Sequence, residues 1–341
     1  MLSLRSSWPA AVLPANRMSV AGLTLALPLI FVAAIVERYH PFVALAVLLA
    51  FTGSIGVFHG VLDVVLLAAP RRRASGTAYS ATEPGISTSM WLNLSAYGLA
   101  VAVLLIVLAS QPAWALVALL LMSAWHFGEV FSESLHREHQ AWWFRVGERI
   151  TLGAASLALP RLIHSESLHE IVSLISGANA VSLTMVWQVW TLLAVVWLIT
   201  GSLWFAASTA RLLRSNFAVP GTNELAQSLR WAALHTLLLL MTYAVTSPVM
   251  GFALYFGLYH SPGHVLRMLR AHPTGFTTGI RWQLGAVYAL TLVLAASTYQ
   301  WVAASQYEFA LSPALLQTYV ILITAISLPH IFLVSQRAGD L

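Results

Sequence analysis

The sequence predicts an all-α protein, a polytopic integral membrane helical bundle of about ten transmembrane helices. Three observations lead to this fold class. Of the 341 residues, 59% are hydrophobic and only 9% are charged, and the mean hydropathy is +0.78. Soluble domains carry about a quarter charged residues. The apolar residues form long runs, most of them close to the ~20 residues that a helix needs to cross a bilayer. Short polar segments separate these runs.

Ten apolar segments follow one another, and each is expected to form a helix. In order, they are residues 20–36, 42–69, 90–110, 112–131, 150–163, 183–208, 229–247, 249–268, 282–304 and 313–334. The fifth is the weakest, because it is short and contains Pro160. Residues 132–148 contain Trp142 and Trp143 and are expected at the membrane interface. Residues 164–178 are amphipathic and predict a surface helix. We expect residues 1–341 to form a single membrane domain.

The arginines predict the orientation of these spans. With a cytoplasmic N-terminus, 15 of the 17 basic residues fall in cytoplasmic segments, and only Arg38 and Arg161 lie outside. Cytoplasmic loops of membrane proteins are enriched in basic residues. Both termini are therefore predicted to be cytoplasmic, in a multi-pass protein of the cell (inner) membrane. The positive charge is explained by orientation, and no basic arm or domain for nucleic acid is present.

Histidine carries most of the polar chemistry of the chain. Cysteine is absent, which excludes thiolate metal sites, iron–sulfur clusters and disulfides, so any metal must be held by His, Asp or Glu. The second, fourth, eighth and tenth spans all run from outside to inside in this topology, and each has histidine in its inner half. These residues are His59, His126, His260, His264 and His330. Four helices of one direction can thus present imidazoles to a single point.

His260 and His264 form the clearest pair, because residues four positions apart share one face of a helix. Pro262 and Gly263 stand between them and are expected to distort that helix. Ionisable residues inside a membrane are costly and are therefore candidates for function. The alternative interpretation is a pair of polar residues hydrogen-bonded between helices.

Carboxylates accompany two of the other histidines. Asp63 follows His59 by four residues, and Glu129 follows His126 by three. A buried carboxylate needs a partner, and a carboxylate beside a metal-bound imidazole commonly orients it. His330 follows a proline, which can open the helix, and it is a weaker candidate that we expect beside the ligands.

Several aromatic side chains lie close to these histidines in the sequence. They are Trp125, Phe127, Phe252, Tyr255, Phe256 and Tyr259. Core packing would explain each of them, but beside a metal they would line a slot for a long, flat, apolar substrate from the bilayer. Imidazole ligands suit Fe(II), Cu and Zn alike. Because no other redox group is visible, oxygen chemistry on Fe(II) is the favoured use.

Four short motifs carry a resemblance to a known family. On successive helices the chain reads HGVLD, WHFGE, HSPGH and LPH. This ordered set resembles the Brp/Blh family, the bacteriorhodopsin-related β-carotene 15,15′-dioxygenases, from Phe51 to the C-terminus. Residues 20–36 form an N-terminal span outside the family motifs, and residues 42–335 form the expected four-histidine core.

The resemblance implies a membrane enzyme that uses Fe(II) and O2 to cleave β-carotene centrally into two all-trans-retinal molecules. It implies iron ligands at His59, His126, His260 and His264, and His330 matches the family's later Pro-His motif as a weaker candidate. The residues themselves lead us to expect Asp63, Glu129 and His330 beside these ligands. The resemblance also suggests a partner, a rhodopsin that receives the retinal. Routes through a dioxetane and through an epoxide are both compatible with these residues.

Other functions are also compatible with the sequence. A related oxygenase acting on another carotenoid or apocarotenoid would use the same residues. A bis-histidine haem electron carrier needs paired histidines on facing helices, whereas HSPGH favours one non-haem ion. A proton-coupled transporter would use Asp63 and Glu129 as proton sites. Membrane di-iron desaturases are disfavoured, because the chain lacks the several His-x-x-His-His boxes typical of them.

Overall fold

The first described helices lead directly to one of the candidate histidines. The structure is a computed structural model that describes residues 15–40, 42–62, 88–133, 142–176, 180–214, 222–265, 278–304 and 311–337. Helix α1 (Ala15–Tyr39) is followed by α2 (Phe42–Phe51), the π-helical segment π1 (Thr52–Gly56) and α3 (Val57–Val61). The last three follow one another without a break, and α3 carries His59.

The rest of the described structure is also helical. It consists of α4 (Thr88–Ser110), α5 (Pro112–Glu133), α6 (Trp142–Ile163), α7 (Ser165–Ser176), α8 (Ala180–Arg214), α9 (Thr222–Val245), α10 (Pro248–Leu254), a second π-helical segment π2 (Tyr255–His260), α11 (residues 261–265), α12 (Thr278–Ala304) and α13 (Leu311–Arg337). The predicted all-α class is confirmed for these residues.

Several of these helices are apolar enough for a membrane. Three are long enough to cross it, namely Val43–Gly60, Ala180–Arg214 and Ala314–Leu333, and shorter apolar helices accompany them. On α4, Leu99, Val103 and Ile106 recur at helical spacing and are 50–66% exposed. An outward apolar stripe of this kind suits contact with lipid, and the helices together indicate a multi-pass membrane protein.

Helix α6, the weakest predicted span, is packed most closely against its neighbours. Its residues from Thr151 to Pro160 are all buried. A Cβ at Gly153 would lie 2.2 Å from the Ala124 carbonyl oxygen of α5, and one at Gly128 would lie 1.9 Å from the Arg149 carbonyl oxygen of α6. The two backbones therefore touch, which only glycine allows. Helix α6 begins at Trp142, before the predicted start at residue 150.

The N-terminal helix α1 supports the helix that leads to His260. Ser247 is the N-cap of α10, and its side chain accepts a hydrogen bond from the Met250 amide. Glu37 of α1 in turn accepts a hydrogen bond from the Ser247 amide at 3.0 Å and one from the Ser247 hydroxyl. A carboxylate at a helix N-terminus is stabilising, because the amide groups there carry partial positive charge.

The two π-helical segments pack against each other through glycine. A Cβ at Gly56 would meet the Phe256 ring at 2.6 Å, and a Cβ at Gly257 would meet the Phe51 ring at 2.3 Å. Gly56 of π1 thus receives an aromatic ring from π2, and Gly257 of π2 receives the ring of Phe51, the last residue of α2 directly before π1. This reciprocal contact brings the helix of His59 close to the helix of His260.

Candidate metal centre

Five buried histidines meet at one place in the described structure. They are His59 on α3, His126 on α5, His260 at the end of π2, His264 on α11 and His330 on α13. Each exposes 5% of its surface or less. The ring centroid of His59 lies between 4.1 and 6.0 Å from those of the other four, so His59 occupies the middle of this histidine cluster.

The ring nitrogens are close enough to share a metal ion. One nitrogen each from His59, His126 and His260 lie within 4.8 Å of one another, and the same holds for His59, His264 and His330. The Nε2 atoms of His59 and His330 are 3.1 Å apart. Nitrogen ligands about 2.1 Å from one metal are themselves roughly 3–4 Å apart. Because neutral imidazole is a good ligand for Fe, Cu and Zn, the donor set and its spacing fit a metal ion.

An irregular stretch of backbone places His59. A π-helical turn contains one residue more than an α-helical turn and is frequent at functional sites; here it is π1, directly before α3. The Tyr288 hydroxyl on α12 donates a hydrogen bond to the Gly53 carbonyl in π1. After His59, a Cβ at Gly60 would lie 3.3 Å from Ile326 Cγ2 on α13. Glycine here lets α3 approach the helix that carries His330.

His260 is the last residue of the second π-helical segment, and His264 follows it. The expected distortion at Pro262 and Gly263 is not seen, since residues 261–265 are α-helical and the irregular turn, π2, comes just before them. Pro329 likewise lies inside α13 without ending that helix. The irregular turns next to His59 and His260 are therefore π-helical and contain no proline.

His126 lies on a regular part of α5 beside a buried carboxylate. Glu129 is only 1% exposed; its Oε2 atom is 3.6 Å from His126 Nδ1, and its Oε1 atom is 3.6 Å from an Arg149 terminal nitrogen. Arg149 also lies over the Trp125 ring, with 5.2 Å between Cζ and the ring centroid. The arginine balances a charge that burial would otherwise disfavour.

The sequence analysis assigned Arg149 only to membrane orientation and missed this contact. Arg149 reaches Glu129 from the neighbouring helix α6, and no motif in the sequence joins them. The need of a buried carboxylate for a cationic partner is the one clue that could have prompted a search for it.

An apolar cavity lies beside the histidine cluster, and three of the predicted aromatic residues line it. These are Phe127, Phe252 and Phe256. The Phe127 centroid is 4.4 Å from that of His260, and the Phe256 ring stacks on His260 at 5.7 Å. Trp125 does not line the cavity: it is 36% exposed and lies under Arg149.

The other predicted residues are placed around this cavity or outside the described structure. Tyr255 is buried behind Phe127, with 5.2 Å between the ring centroids. Tyr259 is half-buried and packs against the hydrophobic core. His235, a buried histidine outside the cluster and not among the predicted site residues, lies next to Tyr255, with 6.0 Å between the ring centroids. Asp63 lies outside the described residues.

The cavity also contains residues that the sequence analysis did not single out. Helix α13 contributes Tyr319, Ile323 and Ile326 in addition to His330. These positions recur every three or four residues and so share one helix face. Their helical spacing from His330 is the signal in the sequence that could have identified them.

Comparison with known proteins assigns the family. No curated protein and no solved structure matches the chain. A family profile described as β-carotene 15,15′-dioxygenase does match, over residues 50–336. This span is most of the chain and includes every histidine of the cluster and every residue named above as lining the cavity. The chain therefore belongs to the β-carotene 15,15′-dioxygenase family of oxidoreductases.

Proposed function

We propose that this protein cleaves β-carotene at its central 15,15′ double bond with O2 and releases two molecules of all-trans-retinal. The observation that carries the proposal is the histidine cluster, five buried imidazoles beside an apolar cavity in a chain of this family. A hydrocarbon offers imidazole no hydrogen bond, so a bound metal is the better explanation for so much buried polar surface.

In this proposal, His59, His126, His260 and His264 hold an Fe(II) ion. Fe(II) bound there supplies the activation of O2 for insertion into a carbon–carbon double bond. His330 lies beside these ligands, and its Nε2 contact with His59, at 3.1 Å, restricts the orientation of that imidazole. The rings of all five residues are excluded from water, which keeps other ligands away from the ion.

Two carboxylates orient ligand rings in this proposal. Glu129 faces Nδ1 of His126 at 3.6 Å and favours the ring orientation in which the other nitrogen turns to the metal. Arg149 places its positive charge 3.6 Å from the Glu129 carboxylate, which offsets part of the cost of burying that carboxylate. Asp63, which follows His59 by four residues, has the corresponding role for that ring, on the strength of the sequence.

The aromatic walls hold the substrate. Because β-carotene has no polar group, it must be positioned by shape and by contact with flat rings. Phe252 and Phe256 are nearly parallel, with 13° between their planes and 5.9 Å between their centroids, and Phe127 completes this wall next to His260. One oxygen atom of O2 goes to each carbon of the broken bond, so two aldehydes form and no other product is needed.

Pigment chemistry in carotene-producing bacteria tests this function. Cells that make both β-carotene and this protein should lose yellow pigment and gain all-trans-retinal, one carotene for two retinals. His260→Ala should abolish the loss and lower the iron content of the purified protein. His169→Ala is the matched control, because His169 is exposed and outside the histidine cluster.

Each other outcome would lead to a different conclusion. Cleavage of a different carotenoid or apocarotenoid by iron-loaded protein would keep the family chemistry and overturn the substrate. A haem spectrum without any carotenoid cleavage would overturn the proposal in favour of an electron carrier.

We further propose a single membrane domain of about ten spans, with both termini cytoplasmic and residues 42–335 as the histidine-bearing core. The asymmetry of the arginines, with only Arg38 and Arg161 on the outer side, supports this topology. Reporter fusions after Arg214 and Arg337 should both give a cytoplasmic signal. A periplasmic signal after Arg214 would show that the spans before it are miscounted.

A further inference from the structure

The cavity beside the histidine cluster is elongated along the helices. On α13, its lining residues Tyr319, Ile323, Ile326 and His330 lie on one helix face. Tyr319 precedes His330 by 11 residues, which corresponds to about 16 Å at the rise of an α-helix. The histidines are therefore at one end of the cavity and Tyr319 is at the other.

The other helices that line the cavity also extend along it from the histidines. Thr52 precedes His59 by 7 residues and Leu119 precedes His126 by 7, and both line the cavity. Each lies about 10 Å along its own helix from the histidine. The Tyr319 hydroxyl is next to the Thr52 side chain. Thr52 and Tyr319 thus lie together at the end of the cavity that is far from the cluster.

This length matches one half of the substrate. Nine conjugated bonds lead from the central double bond of β-carotene to its end ring. If each bond advances about 1.2 Å, as in an extended planar chain, half of the molecule including its ring is on the order of 15 Å long. That is the distance from the histidine cluster to Tyr319.

We propose that this cavity is a half-carotenoid slot, in which Tyr319 stops the end ring and so places the central double bond at the metal centre. This inference rests on the proposed function and adds the residue that determines the cleavage position. A stop is needed because apolar contact is non-directional. Successive double bonds of the polyene are only about 2.5 Å apart, and without a stop any of them could reach the metal.

Lengthening the slot tests the inference through the products. Tyr319→Ala should let the carotene slide deeper by one double bond or more. Unequal pairs of carbonyl products, one longer and one shorter than retinal, should then replace part of the retinal. Tyr319→Phe keeps the ring and should restore retinal as the product, whatever its rate. Tyr299→Ala, which removes a partly buried ring from α12, controls for lost aromatic bulk. Retinal as the sole product of Tyr319→Ala would overturn the inference.

Filling the slot gives a test that does not depend on cleavage. Purified protein kept free of O2 should retain β-carotene, and Ile323→Trp should retain several-fold less at unchanged iron content. Leu121→Trp places the same ring on a surface position that is 53% exposed and should retain as much as wild type. If Ile323→Trp retained as much β-carotene as wild type, the proposal of a slot would be overturned. Carotene that is held by wild type, lost in Ile323→Trp and left uncleaved after O2 is added would overturn the proposed function alone. A wild-type protein that retains no carotene would overturn the slot.

Discussion

The two halves of the histidine cluster are held in place by different kinds of contact. His126 lies on a regular helix, α5, whose backbone touches that of α6 at Gly128 and Gly153. His59 instead follows π1 and His260 ends π2, and the two stretches of backbone meet where the rings of Phe256 and Phe51 lie over glycines. Backbone atoms cannot turn aside, whereas a phenylalanine ring can adopt another rotamer. The first half should therefore be rigid, and the second should tolerate adjustment.

Gly128→Ala should have the largest effect of the changes that test this comparison. The new Cβ would lie 1.9 Å from the Arg149 carbonyl oxygen, so α5 and α6 would have to separate. We expect a loss of about 3 kcal/mol or more in the free energy of unfolding, measured as a lower Tm in detergent, together with lost iron. Gly285→Ala is the control, because nothing lies within 4 Å of the added atom. An unchanged Tm in Gly128→Ala would contradict the inference that the contact between α5 and α6 is rigid.

Gly257→Ala should have an intermediate and repairable effect. Its Cβ would lie 2.3 Å from Phe51 Cγ, and a side chain can move or be shortened. We expect a loss of about 1–3 kcal/mol, partly restored in the double variant Gly257→Ala, Phe51→Ala, which removes Cγ and the ring. A double-mutant cycle on Tm measures this coupling. If the substitution at Phe51 lowers the Tm further and restores none of it, the contact between Phe51 and Gly257 does not adjust as described.

Glu129→Gln should have the smallest effect on stability, and its main effect should fall on the metal. The amide keeps the size of the carboxylate but loses the charge that faces both His126 and Arg149 at 3.6 Å. We expect iron to be about 10–100-fold more easily lost to a chelator, as for other partners of metal-bound imidazoles. Glu170→Gln, at an exposed position of α7, should retain iron like wild type. Equal retention by the two variants would show that Glu129 does not orient His126.

Part of this architecture could be predicted from the sequence, because hydropathy and depth are properties of single segments. Apolar runs indicated the helices, and the shared depth of His59, His126, His260 and His264 indicated that they could meet. Helix α6 was the weakest prediction because its burial depends on small residues such as Gly153 and Ala154, which contribute little hydropathy but allow close approach.

The rest could not be predicted, because it depends on which way a side chain faces. Trp125 is adjacent to His126 in the sequence, but neighbouring residues point about 100° apart on a helix, and Trp125 turns outward to Arg149. Tyr319 is three helical turns away from His330 and outside any short motif. Arg149 and Glu129 come from different helices, so only the fold brings them together.

The two π-helical segments decide which side of the helix the residues after them face. Each contains one residue more than an α-helical turn would need, and the wider turn takes up that residue. If the turn became α-helical without losing a residue, everything after it would rotate by about 100°, and His59, or His260 and His264, would leave the side of the helix that faces the cluster. Deletion of one residue from π1 or π2 ahead of these histidines should therefore leave a regular helix that still presents them to the cluster. The same deletion in the regular helix α5 ahead of His126 should instead turn His126 away from it.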